Sequence, residues 1–521
     1  MTDTQLSGIK RLLGKTIDVR VFYGAVALAL PFLVLGGFSP ALLGEISGKA
    51  LAYLTSSWSW LYLISCSLFV LTCLVIALSP LGNVRLGKDD EPPEFRFFSW
   101  FSMLFSAGMG IGLVFWAGSE PMYHYMDPPI GEGGTPAAAR LAFEIFFFHW
   151  GLHAWATYVV VGLPMAYFAF RKDQPAIIST CLRPLLGDRA ADGLFGDIVN
   201  VLAIWATILG VVTSLGMGAL QINSGLAHST GIPAGPGAAS IIIAVITCIF
   251  IFSAITGVSK GIRILSLFNV YLMMTLLLFF CIFGPFGYLV KTFGTALWDY
   301  AVDLIPMSTS LALFDNPGWT GSWTVFYWAW WVAWAPFVGA FIARISRGRT
   351  IREFILVVLI APPLFSYIFS VGLGGTAMWL DMVQNIPIGE AVKQSIEVAL
   401  FETLSHLPLY GLVVVITNVL IASFFVTSAD SATFVISLYS SGGYETEDPG
   451  ARKRLIIFWG ALLGGLAIVL IFSGGLKALQ TASIVGAFPF IFVMYLLVIS
   501  VVKDLIRERK IHRTQDGKVI A

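Results

Sequence analysis

The sequence predicts an all-α integral membrane protein with twelve transmembrane helices. Its composition, its long apolar runs and the placement of its basic residues support this fold class. Hydrophobic residues make up 57% of the 521 residues and charged residues only 12%, whereas soluble proteins carry about 25% charge. A water-soluble fold has too little polar surface to cover so many apolar side chains, which argues against a soluble enzyme or a disordered chain. The net charge of +1 gives no general attraction to nucleic acid.

Twelve apolar runs are long enough to cross a bilayer, because a helix needs about 20 apolar residues to span its hydrocarbon core. The predicted spans are residues 21–39, 58–80, 97–118, 142–170, 196–224, 238–257, 264–289, 323–343, 353–376, 409–434, 455–473 and 482–502. The chain thus divides into an N-terminal segment (1–20), a twelve-helix membrane domain (21–502) and a short C-terminal tail (503–521). The long connections 290–322 and 377–408 are not expected to be soluble domains, and amphipathic stretches such as Leu289–Leu313 are expected to lie at the membrane interface.

Lys and Arg are distributed unequally across this topology. Of the 31 basic residues, 26 fall on the side that carries both termini. The positive-inside rule therefore predicts a multi-pass protein of the cell (cytoplasmic or inner) membrane with both termini in the cytoplasm. A missed or additional span would scramble this alternation, so the asymmetry also supports the count of twelve.

Three glycines interrupt the third span, at Gly108, Gly110 and Gly112. Each lowers helix stability by about 1 kcal/mol relative to Ala, so this stretch is predicted to unwind. Unwound backbone at membrane depth must be buried or line a cavity, and discontinuous helices form substrate sites in secondary transporters. The alternative is close helix packing through small residues. The span is expected to end at Glu120-Pro121.

Aromatic clusters continue into the fourth and eighth spans. Trp155 and Tyr158 are three residues apart, as are Trp331 and Trp334, so each pair shares a helix face. Together with Trp150, these rings could form a cage that holds a quaternary ammonium by cation–π attraction. The alternative is that they are core and interface aromatics.

His149 and His153 lie four residues apart in the fourth span. This spacing allows a metal site on a helix, and an intramembrane metal enzyme is one functional alternative. No acidic residue of the HExxH type accompanies the pair, so hydrogen-bonded structural histidines are the favoured interpretation.

The tenth span carries a polar group of residues that includes Thr427, Ser428 and Asp430. The two hydroxyl oxygens, with carbonyls from a broken helix, could hold sodium, because hard cations prefer oxygen ligands. Two alternatives remain: interhelical hydrogen bonds, and a proton relay through the intramembrane acid Asp430.

These motifs together resemble the betaine/choline/carnitine transporter (BCCT) family, and are most similar to its sodium-coupled glycine betaine members. The similarity runs from Phe98 to Lys503. It is carried by Gly108–Gly112, Glu120-Pro121, His149–Trp155, Phe326–Trp331, Arg344–Arg349 and Thr427–Ser431. The resemblance implies two inverted five-helix repeats, spans 3–7 and 8–12, preceded by two extra helices. It also implies a lipid-embedded homotrimer that works by alternating access and is not an enzyme.

The resemblance implies secondary active import of glycine betaine, or of a similar quaternary-ammonium or sulfonium zwitterion that serves osmoprotection as a compatible solute. Sodium would be the coupling ion of this symporter, with no other cofactor. Glycine at position 112 favours a zwitterion, since proton-coupled choline members tend to carry Asp there. The alternatives are a proton-coupled choline or carnitine transporter and a betaine sensor that does not transport.

The family resemblance also assigns site residues. The ammonium box would be formed by Trp150, Trp155, Tyr158 and Trp331, with Trp334 covering the site. The substrate carboxylate would lie near Gly108, Gly110 and Gly112.

Two sodium sites are implied in the same way. One would use the backbone carbonyls of Ser106, Met109 and Phe424 and the side chains of Thr427 and Ser428. The other would use Thr207 and Phe337, but its second hydroxyl position carries Val211 in this chain. This departure puts a two-sodium stoichiometry in question, unless Thr213 or Ser214 supplies the missing oxygen.

Overall fold

The computed structural model describes residues 17–256, 258–443 and 449–515, and helices dominate these ranges. Residues 1–16 and 516–521 of the predicted terminal segments lie outside the described residues. Within the described ranges, fourteen helices exceed ten residues. They are α1 Val19–Phe38, α2 Pro40–Ser57, α3 Ser59–Leu78, α4 Phe97–Met126, α5 Pro136–Trp150, α6 Leu152–Ala166, α7 Leu194–Thr230, α8 Pro236–Thr256, α9 Val258–Phe283, α10 Phe286–Thr309, α11 Thr324–Arg344, α12 Ile351–Met382, α13 Tyr410–Tyr439 and α14 Pro449–Gln515.

The predicted membrane fold is confirmed. Eleven stretches of the described chain are long and apolar enough to cross a membrane, and α5 and α6 together make one of them. The last stretch, Gly450–Arg509, is 60 residues long and holds two predicted spans. It breaks between them, because Gly474 and Gly475 adopt φ values of 151° and 59°. All twelve predicted spans are thus accounted for.

The spans exchange partners in a reciprocal pattern. Helix α4, the third span, packs against α12 and α13, the ninth and tenth spans. Helix α11, the eighth span, packs against α6 and α7, which belong to the fourth and fifth spans. The first helix of each predicted repeat thus packs against helices of the other repeat.

The two long connections differ from each other. Helix α10 is amphipathic as predicted, with Trp298 and Ile305 exposed while Leu289 and Ala296 are buried. The segment 377–408 instead folds onto α4 through the short helix Ile388–Gln394. Its apolar residues Ile388, Val392 and Leu400 are buried against the protein, whereas Val383 is exposed.

Helix α4 does not end at Glu120-Pro121. It continues through Pro121 to Met126, so the predicted helix stop is wrong. A proline in a helix lacks the N–H that would bond the carbonyl four residues earlier, here that of Ala117. The Ser370 hydroxyl of α12 donates to that carbonyl at 2.7 Å. A neighbouring span thus supplies the hydrogen bond that the proline removes.

We predict that Ser370→Ala lowers the melting temperature of the purified protein. The substitution leaves the Ala117 carbonyl buried without a partner, at a cost of about 1–3 kcal/mol. Ser366→Ala on the same helix is the matched control, because the Ser366 hydroxyl is also buried but bonds the Pro362 carbonyl of its own helix. Equal melting temperatures for the two variants in a thermal-shift assay would contradict this account of Pro121.

Candidate functional site

The predicted break in the third span is present and is confined to one residue. Gly110 has φ −1° and ψ −120°, and it is the residue of α4 with non-helical backbone angles. A Cβ atom placed on Gly110 would lie 2.9 Å from the Ser428 hydroxyl and 3.4 Å from the Phe424 ring. The break therefore lies directly against α13, at the residues that the family resemblance assigns to sodium.

The two flanking glycines bring α4 against aromatic rings. A Cβ atom on Gly108 would lie 2.7 Å from Cη2 of Trp155, and one on Gly112 would lie 2.6 Å from Cη2 of Trp330. Both distances are below normal van der Waals contact, so only glycine fits without a shift of the ring. The glycine segment thus forms one wall of an aromatic region.

A second break, which the sequence analysis did not foresee, separates α5 from α6 at Gly151, with φ −93° and ψ −138°. The Tyr367 hydroxyl donates to the Phe147 carbonyl at 2.8 Å, and the Tyr300 oxygen accepts from the Leu152 N–H at 3.4 Å. Two tyrosines from other helices thus satisfy backbone groups that the break leaves free. The fourth span consequently changes direction between its aromatic residues.

The structure brings the four predicted box rings together. The rings of Trp150 and Trp331 lie 4.9 Å apart, those of Trp331 and Tyr158 6.3 Å, and those of Tyr158 and Trp155 5.5 Å. The three interplanar angles lie between 73° and 86°, so the rings meet edge to face and not in one stack. All four side chains are buried.

Trp334 lies one turn further along α11, outside this chain of ring contacts. Its indole N–H donates to the Gly210 carbonyl at 2.8 Å. Its ring lies 6.2 Å from that of Trp330 and 5.7 Å from that of Phe337. Trp334 therefore fastens α11 to α7 beside the box.

Several polar atoms in this region have no hydrogen-bond partner among the described residues. They include the indole nitrogen of Trp155 and the hydroxyls of Tyr158 and Ser428. Buried polar atoms are almost always hydrogen-bonded in folded proteins. These atoms therefore mark the region as one that can bind a polar ligand or an ion.

The predicted sodium ligands fall on the two helices that meet at Gly110. Ser106 and Met109 are buried on α4, and Thr427 is buried on α13. The Thr427 hydroxyl donates to the Ser423 carbonyl at 2.7 Å and accepts from the Asn269 amide of α9 at 3.2 Å. Asn269 was missed from the sequence, because nothing in an apolar span marks which polar residue will face another helix.

The second predicted sodium position holds one hydroxyl where two were expected. Thr207 is buried and bonds the carbonyl of Ala203 in its own helix, and Val211 is buried one turn later. The Thr213 hydroxyl takes part in contacts with α14, because it donates to the Leu479 carbonyl at 2.7 Å and accepts from the Ser483 hydroxyl at 2.8 Å. The Ser214 hydroxyl lies 3.3 Å from the Gly210 carbonyl.

His149 and His153 have different partners and do not form a shared site. His153 lies 3.1 Å from the Ser308 hydroxyl through Nε2. His149 lies 2.6 Å from a carboxylate oxygen of Glu120 through Nδ1, and 2.9 Å from the Thr324 hydroxyl through Nε2. Both are hydrogen-bonded histidines, as the sequence favoured. In the sequence, Glu120 is marked by the predicted helix stop and by the family motif Glu120-Pro121, and neither points to its bond with His149.

Comparison with known proteins identifies the family. The model of the BCCT, betaine/carnitine/choline family transporter, matches residues 20–510. The chain belongs to this family. It is therefore a multi-pass membrane transporter and not an enzyme.

Similar curated proteins match along almost their whole length. A probable glycine betaine transporter of Desulfitobacterium hafniense (strain Y51) is 43% identical over 93% of this chain and 97% of its own. The glycine betaine transporter OpuD of Bacillus subtilis (strain 168) is 44% identical over 94% and 95%. An ectoine/hydroxyectoine transporter of Virgibacillus pantothenticus is 38% identical over 95% and 98%.

We predict that Gly108→Ala destabilises the protein by about 1–3 kcal/mol, because the new methyl group must displace the Trp155 ring. Gly48→Ala in α2 is the control, since a Cβ atom there has nothing within 4 Å. A thermal-shift assay combined with tryptophan fluorescence should show a lower melting temperature and an altered emission for Gly108→Ala only. A Gly108→Ala protein with wild-type stability and emission would show that the wall is not tightly packed.

Proposed function

We propose that the protein is a sodium-coupled importer of glycine betaine, or of a similar quaternary-ammonium or sulfonium zwitterion, that works by alternating access. The observation that carries this proposal is the buried box of Trp150, Trp155, Tyr158 and Trp331 beside the break at Gly110. The glycine betaine relatives support the substrate, and the ectoine relative supports a zwitterionic compatible solute more generally.

The site suits both ends of such a zwitterion. A trimethylammonium group cannot donate hydrogen bonds from its nitrogen, so aromatic faces are its natural partners. A carboxylate needs donors, and the Trp155 indole N–H and the Tyr158 hydroxyl are buried without partners among the described residues. Gly112 packs against Trp330 so closely that an Asp there would have to push the ring aside. The family resemblance associates choline transport with an Asp at this position, so a glycine with no room for that side chain supports a zwitterion over cationic choline.

Sodium is proposed at the crossing of α4 and α13, held by the carbonyls of Ser106, Met109 and Phe424 and the hydroxyls of Thr427 and Ser428. The support is that Gly110 lies against Ser428 while Gly108 lies against Trp155. The ion and the substrate would then bind two sides of the helix break at Gly110, so that each stabilises the geometry the other needs. The set at Thr207 and Phe337 has a single hydroxyl, so the proposal rests on the first site.

We further propose that the protein is a homotrimer in the cell membrane, surrounded by lipid, with both termini in the cytoplasm. The orientation is supported by the 26 of 31 basic residues on the side of the termini. The trimer is supported by the family resemblance. The physiological role that fits this cargo is osmoprotection.

Proton coupling through Asp430 is the competing mechanism. Asp430 is buried on α13, and one carboxylate oxygen accepts from the Ser253 hydroxyl at 2.7 Å. Its other oxygen has no partner among the described residues. Ion-gradient experiments distinguish this mechanism from sodium coupling.

We predict that proteoliposomes take up labelled glycine betaine only under an inward sodium gradient. Ser428→Ala should raise the sodium concentration for half-maximal uptake about tenfold, since one ligand is lost, while breaking no hydrogen bond with a described residue. Thr433→Ala is the control, because that buried hydroxyl bonds the Ala429 carbonyl on the same helix. Equal uptake under a proton gradient without sodium would instead favour the Asp430 relay. Binding without uptake would favour a sensor.

We also predict that Trp331→Ala weakens glycine betaine binding about tenfold or more, because one desolvated cation–π face is removed. Trp205→Ala serves as the control, since Trp205 packs against Phe32 away from the box. Isothermal titration calorimetry in detergent measures both affinities. Unchanged affinity for Trp331→Ala would remove this residue from the substrate site.

A further inference from the structure

A fully buried carboxylate lies behind the aromatic box. Glu120 of α4 is 0% exposed. Its Oε2 accepts hydrogen bonds from the Trp150 indole N–H at 2.8 Å and from the Tyr327 hydroxyl at 2.5 Å. Its Oε1 lies 2.6 Å from His149 Nδ1. One carboxylate therefore joins α4, α5 and α11 at the back of the box.

Trp150 and Trp331 form the closest ring pair of the box, and the hydrogen bonds of Glu120 involve both of them, one directly and one indirectly. Trp150 is bound directly by the carboxylate. Trp331 is bound through its neighbour, because its indole N–H donates to the His149 carbonyl at 3.0 Å. Trp150 is the last residue of α5, immediately before the break at Gly151. Gly151 interrupts the helix directly after Trp150, so side-chain contacts help to fix the direction of the Trp150 ring.

The same group of residues could be read as a metal site, because Glu120, His124 and His149 offer three ligand atoms within 4.8 Å of one another. The distances argue against it. Two ligands of one zinc ion, each about 2.0–2.2 Å from the metal, lie about 3 Å or more apart in a tetrahedron. Glu120 and His149 are 2.6 Å apart, which is a hydrogen bond with a proton between the two atoms.

We propose that Glu120 is a positioning residue for substrate recognition: its carboxylate fixes the rings of Trp150 and Tyr327 and, through His149, the ring of Trp331. The inference rests on the proposed function, because it concerns the box that binds the ammonium group. Glu120 does not touch the substrate in this account. It fixes the orientation of the Trp150 ring against the Trp331 ring, and hence the aromatic faces that the box presents to a methylated cation.

A conservative substitution separates positioning from charge. In Glu120→Gln, the amide oxygen can accept from both Trp150 and Tyr327. The amide NH₂ then faces His149 Nδ1, which can accept when His149 carries its proton on Nε2 and donates it to Thr324. Glu120→Ala provides no acceptor and leaves the Trp150 indole N–H and the Tyr327 hydroxyl without their partner.

Affinity for glycine betaine is measured by calorimetry, and melting temperature by thermal shift, on the detergent-purified full-length protein. Glu120→Ala should weaken binding about tenfold, and Glu120→Gln should stay within about threefold of wild type. His153→Ala is the control for loss of a buried polar group, because His153 bonds Ser308 and not the box. In a Trp150→Phe background, Glu120→Ala should cause a smaller further loss of affinity for glycine betaine, since the Trp150 indole that Glu120 holds is already absent.

Three results would overturn the proposal. Glu120→Ala could bind as tightly as wild type. Glu120→Gln could lose as much affinity as Glu120→Ala, which would make charge and not hydrogen-bond geometry responsible. A stoichiometric metal in the purified wild type, lost in Glu120→Gln, would show a metal centre instead.

A readout without ligand keeps this inference separate from the proposed function. The indole N–H band in the ultraviolet resonance Raman spectrum reports tryptophan hydrogen bonding. Glu120→Ala should shift that band in the wild-type background and shift it less in Trp150→Phe, where the indole that donates directly to Glu120 is absent. If the wild type binds no betaine, the proposed function fails while the band shift still tests the positioning. If betaine binds and the band does not shift in Glu120→Ala, the positioning role of Glu120 is contradicted while the proposed function stands.

Discussion

The structure depends on one constraint: backbone polar groups at membrane depth must find partners inside the protein, because lipid offers none. A helix break in such a region is stable only where other helices supply donors and acceptors. At Gly151, the hydroxyls of Tyr300 and Tyr367 do so. At Pro121, the Ser370 hydroxyl does so. Breaks and interhelical hydrogen bonds therefore occur together, and they draw the spans into one packed unit.

The same constraint places the candidate site. Where α4 opens at Gly110 and the fourth span opens at Gly151, side chains from other spans approach the main chain closely. Trp331 illustrates this double role, since its ring joins the aromatic box while its indole N–H bonds the His149 carbonyl. If the proposed box holds the cargo, Trp331 links the conformation of the helix to occupancy of the site.

The helix breaks predicted from glycine and proline are present at some positions of the third span and absent at others. The three glycines of the third span were predicted to unwind a segment, and the structure breaks only at Gly110. Gly108 and Gly112 remain helical and act through size, because each faces an indole ring. Pro121 was expected to stop its helix, and this was wrong because a hydroxyl on α12 accommodates it. Helix propensity is a property of neighbouring residues, whereas the Ser370 hydroxyl that compensates for Pro121 comes from a distant part of the chain.

The sequence by itself determined the class of fold, the number of spans and the family, because apolar run length, basic-residue placement and motifs are properties of the linear chain. It also named the four box rings, since helical spacing and the family motifs mark them. Only the tertiary structure decided what lies behind those rings. Glu120 accepts hydrogen bonds from Trp150, which lies 30 residues later in the chain, and from Tyr327, which lies 207 residues later. No periodicity in the sequence encodes such contacts. A buried charge is stable only when distant groups surround it, so its role emerges only when the helices are packed together.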